Sequence, residues 1–124
     1  MAGNSYLEEL PESCPPADAS RQMLTAYRIV EQFPPAEADF HSQRKKFPTR
    51  VFSLDECTVR ACSVFDNVFD IGKKKKLLVN RKIVKFTIFP QDGMVKKTLS
   101  HGHHSWWVSG ELDFSGKEYE EVDE

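Results

Sequence analysis

Apolar and polar positions alternate most sharply at Ile83-Val84-Lys85-Phe86-Thr87-Ile88-Phe89. Val84, Phe86 and Ile88 fall on one face and Lys85 and Thr87 on the other, which predicts a half-buried strand. Pro90-Gln91-Asp92-Gly93 carries turn chemistry, so Met94 to Thr98 is expected to return as the hairpin partner of that strand. Met23 to Val30 is rich in β-branched and aromatic residues, is stopped by Pro34-Pro35, and predicts a first strand. Ser63-Val64-Phe65 predicts a brief strand, and Ser105-Trp106-Trp107-Val108 a further one, ended by Ser109-Gly110. Between the first two, Glu37 and Asp39 place acid early and Arg44, Lys45 and Lys46 place base late, matching the helix dipole over 36–45. Ser53-Leu54-Asp55-Glu56 has capping-box form and predicts a second helix over 54–61. A turn or short helical piece follows over 66–71. Helices come early and strands late, so the expected class is α+β, with a small, mainly antiparallel sheet and two or three short helices.

A length of 124 residues fits one domain. Residues 21–113 are expected to form it. Residues 1–20 mix Glu8, Glu9, Glu12 and Asp18 with Pro11, Pro15 and Pro16, and are expected to be a flexible arm. Residues 114–124 read as an acidic disordered tail. No apolar run reaches the roughly 20 residues of a membrane span, and the first residues lack the basic and apolar regions of a signal peptide. A cytoplasmic protein with no membrane partner is therefore expected. Cys57 and Cys62 are five apart, which suits neither a zinc knuckle nor a redox pair and turns them apart on a helix. With Cys14 they are expected to be reduced, buried or half-buried small residues.

The small net charge of -2 hides strong segregation. Residues 71–110 carry nine basic groups against Asp92 alone, and residues 111–124 carry Lys117 against seven acids. Lys73, Lys74, Lys75, Lys76, Arg81 and Lys82 are the candidate anion-binding residues. Phe86, Trp106 and Trp107 follow as candidate stacking or anchoring rings. The acidic terminus is a ready internal competitor for this patch, so an anionic ligand or a protein partner is expected ahead of nucleic acid.

His101-Gly102-His103-His104 gathers three of the four histidines. On an extended backbone His101 and His103 share a face, making them the metal-ligand candidates. Further ligands would have to come from elsewhere in the chain, so no metal site is assigned. His104 beside Trp106 and Trp107 is the candidate proton-transferring or orienting imidazole. No Gly-rich phosphate loop, hydrolase elbow or metalloprotease motif is present. Asp39, Asp66 and Asp70 are the acids a nuclease could draw on.

Tyr27-Arg28-Ile29-Val30, Cys62-Ser63-Val64-Phe65 and His103-His104-Ser105-Trp106-Trp107, in that order, resemble the layout of small uncharacterised bacterial proteins. More loosely, they resemble the ADP-ribosyltransferase-like fold. That resemblance implies Arg28 on the phosphates of NAD, Ser63 against the nicotinamide ribose, and a late-strand glutamate for catalysis. Glu111 is the nearest candidate for that glutamate, although the family's Gln/Glu-x-Glu piece is absent.

The favoured function is a small binding module whose basic patch and His/Trp surface recognise an anionic ligand or protein partner. The alternative is a compact ADP-ribosyltransferase-like enzyme acting on NAD or a nucleotide, with Arg28, Ser63, His104 and Glu111 as its catalytic set. Both require the positive stretch and the imidazole–indole segment to lie side by side on one sheet.

Overall fold

The alternating pattern at 82–88 does its expected work: Val84, Phe86 and Ile88 are buried on one face of a strand. The computed structural model describes residues 6–72, 81–98 and 102–122. Six strands form one antiparallel sheet: β1 (Leu24–Val30), β2 (Cys62–Phe65), β3 (Lys82–Ile88), β4 (Gly93–Lys97), β5 (His103–Val108) and β6 (Glu120–Val122). Their order is β4-β5-β2-β1-β3-β6. Three short helices, α1 (Gln43–Lys46), α2 (Glu56–Val59) and α3 (Val68–Gly72), complete an α+β domain.

The expected hairpin between 83–89 and 94–98 is not formed. β4 pairs with β5, with Val95 opposite Trp106, and β3 pairs with β1 and β6. In a flat sheet of this order β3 and β4 would stand four strand spacings apart, about 19 Å. Only Phe89 to Asp92 connects them, and Pro90–Asp92 is a 3-10 turn rising about 2 Å per residue. The connection is too short for a flat sheet, so the sheet rolls. Rolling brings the ring of Phe86 on β3 within 5.8 Å of Trp106 on β5, although β1 and β2 lie between them in the sheet. Phe40 fills the interior, stacked on Phe114 at 4.8 Å and edge-on to Phe86 and Trp106. Asp92 holds the corner: its carboxylate accepts the Phe89 N–H at 2.8 Å and its carbonyl accepts Trp106 Nε1–H at 3.1 Å. Gly93 follows at φ +137°, where an added Cβ would lie 2.1 Å from the Trp107 carbonyl oxygen. Asp-Gly here serves a corner and not a hairpin turn.

Local capping also differs from the expectation. The stretch expected as one helix over 36–45 is a 3-10 turn at Glu37–Phe40 followed by α1, whose N-cap is Ser42 accepting from the Lys45 N–H. α2 is capped by Asp55 and not by Ser53. Both termini of the chain depart further. The stretch 1–20, expected as a flexible arm, is docked from Tyr6 onward. Leu7 N–H donates to the Val108 carbonyl at 2.8 Å, Ser20 and Val95 exchange both backbone bonds, and Cys14 is bonded to Cys57. The cysteines are thus not all reduced. Tyr6, Leu10 and the disulfide pack around Trp107, and give the arm the apolar burial that its acidic, proline-rich composition concealed. Residues 114–124, expected as a disordered tail, supply buried Phe114 and the strand β6. Lys117 forms a buried pair with Asp92 at 2.5 Å.

Candidate functional site

The rolled sheet puts Arg28 on its inner face. Its register places it opposite Val84 on one side and beside Val64 on the other, and Val64 is opposite His104. An unpaired guanidinium there would be costly, and this one is paired with backbone. Nε–H donates to the Asp39 carbonyl at 2.7 Å, Nη2–H to the His41 carbonyl at 3.3 Å, and Nη1–H to the Ser63 carbonyl. The fork that the resemblance assigned to phosphates therefore ties the 37–41 turn to β2.

The other members of the proposed catalytic set are not gathered around it. Only the backbone of Ser63 meets Arg28, because its side chain projects to the outer face, opposite Ser105. His104 is buried on the inner face, and its Nδ1–H donates to the Gly102 carbonyl at 3.1 Å. Glu111 is exposed beyond the Val108 end of β5, the end away from His104.

The histidine–tryptophan segment is not a surface. Trp106 is core, and Trp107 lies fully buried on the opposite face with Nε1–H donated to the Cys57 carbonyl at 3.0 Å. His103 contacts Thr98 Oγ1 through Nδ1 at 2.9 Å, and its ring stands edge-on to Phe65 at 5.3 Å. His101 lies outside the described residues. Among the described residues no group of three or more histidine, cysteine or acidic side chains is placed to hold a metal. Of the acids a nuclease could draw on, Asp66 and Asp70 share one partner, Asn67 Nδ2, which donates to Asp70 at 2.8 Å, and Asp39 is occupied by backbone. Asp39 accepts the N–H groups of Glu31 and Ala36, and Asp66 accepts Asn67 Nδ2–H at 2.7 Å.

A cysteine nucleophile is also disfavoured by the geometry. Cys62 is buried, and burial pushes its thiol above the usual range although Arg28 and Lys46 pull the other way. The cavity beside it, lined by Leu7, Phe40 and Trp107 among others, is sized for a water and not a nucleotide. Iodoacetamide at about pH 8, where a free thiol is partly ionised, is expected to leave the native protein unmodified and to add one group per chain in urea without reductant. Rapid single labelling of the native protein would show that Cys62 is accessible.

What the fold does assemble is a row of cations along β3. Lys82 opens β3 opposite Val30 on the Val84 face, and Lys85, on the other face, stands in register between Tyr27 and Glu120. Lys73, Lys74, Lys75 and Lys76 lie outside the described residues. The acidic terminus, expected as an internal competitor for the basic patch, does meet it. β6 lies along β3, with Glu120 opposite Lys85 and Glu121 3.6 Å from Lys82. Lys82 and Lys85 share one sheet with the imidazole–indole segment, but β1 and β2 separate β3 from β5, whereas Lys96 and Lys97 on β4 lie opposite Ser105 and His104. No helix among the described residues is long and apolar enough to cross a membrane. Comparison with family models, curated proteins and solved structures yields no match to this chain.

Proposed function

We propose that the protein is a binding module that takes an anionic partner along β3, at Arg81, Lys82 and Lys85. The observation that carries this reading is the pairing of β6 with β3, which lays Glu120 and Glu121 against Lys85 and Lys82. An acidic strand held on a basic edge stands where an external anion would bind, and competes with it. The engagement of Arg28 with three carbonyls supports a binding role over NAD chemistry. The Cys14–Cys57 bond favours an oxidising compartment over the cytoplasm expected from sequence, because such bonds persist where thiol reductants are scarce.

The test follows from the competition. Glu120→Gln/Glu121→Gln removes the two charges and leaves Phe114, Lys117 and Tyr119 in place. Its affinity for a fluorescent inorganic polyphosphate is expected to rise about fivefold, the scale of one or two exposed ion pairs. Lys82→Gln/Lys85→Gln is expected to lose binding, and about 0.5 M salt to suppress it for every variant. Equal affinity of the wild type and the acid-to-amide variant would overturn the reading. So would stabilisation by NAD without any polyphosphate binding.

A further inference from the structure

The segment Gln43–Leu54 joins α1 to α2 and carries Arg44, Lys45, Lys46 and Arg50 with no acidic residue. It also carries exposed apolar side chains: Val51 is 94% exposed, Leu54 44% and Phe47 39%. The loop is built, not slack. Arg44 Nη1–H groups donate to the Pro48 carbonyl at 2.8 Å and the Arg50 carbonyl at 2.9 Å. The same guanidinium makes two bonds to Glu56, at 2.8 and 3.1 Å, and covers the Phe52 ring. Arg50 in turn lies over Phe47 at 4.0 Å. One arginine thus fixes the shape in which Val51 is held outward.

Exposed apolar residues on one preorganised loop mark an interaction site. Its form indicates the partner. A peptide groove would half-bury the residues lining it, whereas a valine at 94% exposure stands proud of its surroundings. A projecting apolar tip ringed by cations matches a soft, negatively charged interface, in which the tip enters the boundary of the acyl chains and the cations meet the headgroup phosphates. We infer that the 47–54 loop docks the protein on an anionic lipid surface, with Phe47, Val51 and Leu54 inserted and Lys45, Lys46 and Arg50 on the headgroups. This is peripheral docking, independent of the polyanion site at β3 and distinct from any membrane span.

The full chain can be tested by co-sedimentation with phosphatidylcholine vesicles, with and without phosphatidylserine. At about 0.1 M salt the wild type is expected to sediment with the serine-lipid vesicles, and at about 0.5 M to be released as the Debye length falls to about 4 Å. Val51→Asp is expected to reduce partitioning at least about tenfold, because a carboxylate replaces the inserted tip. Lys45→Glu/Lys46→Glu is expected to abolish the preference for the anionic lipid. All these side chains are exposed, so melting temperatures near the wild-type value separate lost docking from lost folding. In Val51→Trp, indole emission is expected to shift to the blue when anionic vesicles are added. Failure of the wild type to sediment would overturn the inference. So would Val51→Asp binding as the wild type does, or loss of sedimentation in Lys82→Gln/Lys85→Gln with the loop variants unaffected. Val51-dependent binding of a glutamate-rich peptide without vesicle binding would reassign the loop to a protein partner.

Discussion

Replacing Lys117 by methionine is expected to destabilise the fold by about 3–5 kcal/mol, the usual consequence of removing one partner from a buried ion pair. Lys117 Nζ lies 2.5 Å from Asp92 Oδ2 and donates to the Thr87 carbonyl at 2.6 Å, and both side chains of the pair are 7% exposed. Asp92 is committed to the corner between β3 and β4, which its carboxylate and carbonyl hold through Phe89, Trp106 and Ser109. Without the ammonium, that carboxylate must stay buried unneutralised or leave the corner. The measurement is a urea midpoint with unchanged slope. The double variant Asp92→Asn/Lys117→Met removes both charges and keeps an oxygen for the Phe89 N–H. It is expected to lose less than the two single variants combined. A Lys117→Met protein within about 1 kcal/mol of the wild type, below the range for a broken buried pair, would show that the ammonium does not carry the corner.

Strands announced by local alternation were legible in the sequence, and their partners were not. The Val84–Phe86–Ile88 period and the β-branched run before Val30 each mark a strand without reference to the rest of the chain. Pairing is a property of the rolled sheet. Pro90-Gln91-Asp92-Gly93 has the composition of a hairpin turn, and only the interior formed by Phe40, Phe86 and Trp106 turns it into a corner. The terminal segments were misjudged for one reason: averaging their acidity hid a few anchors. Tyr6, Leu7 and Leu10 in the first, and Phe114 and Tyr119 in the second, are widely spaced, yet each packs on the core. Lys117, the single base among seven acids, was itself a signal of a specific partner. The site residues suffered from the same nonlocality. His103, His104, Trp106 and Trp107 attract notice as chemistry-bearing types, but consecutive positions on a strand covered on both faces are all buried. Lys46 and Val51 carried no motif, and only their placement singles them out.

Removing the Cys14–Cys57 bond, by Cys14→Ser/Cys57→Ser or by reductant, is expected to cost about 4 kcal/mol on the chain-entropy account for a loop of this size. The two residues are 43 apart, and the bond joins the N-terminal segment to α2 directly over Trp107. Backbone bonds at Leu7–Val108 and Ser20–Val95 hold both ends of that segment. Loosening should therefore concentrate between these anchors, uncovering Trp107 before the rolled interior opens. Trp106, with its Nε1–H on the Asp92 carbonyl, should stay dry. The expected signature is a lowered urea midpoint together with a partial red shift of tryptophan emission before unfolding, both reproduced by reductant in the wild type. Thiol counting makes the result decisive. The untreated chain denatured in urea should present one alkylatable cysteine, Cys62, and the reduced chain three. Three thiols in the untreated chain would show that the bond is absent, and Trp107 would then depend on the backbone anchors and the packing of Tyr6 and Leu10 alone.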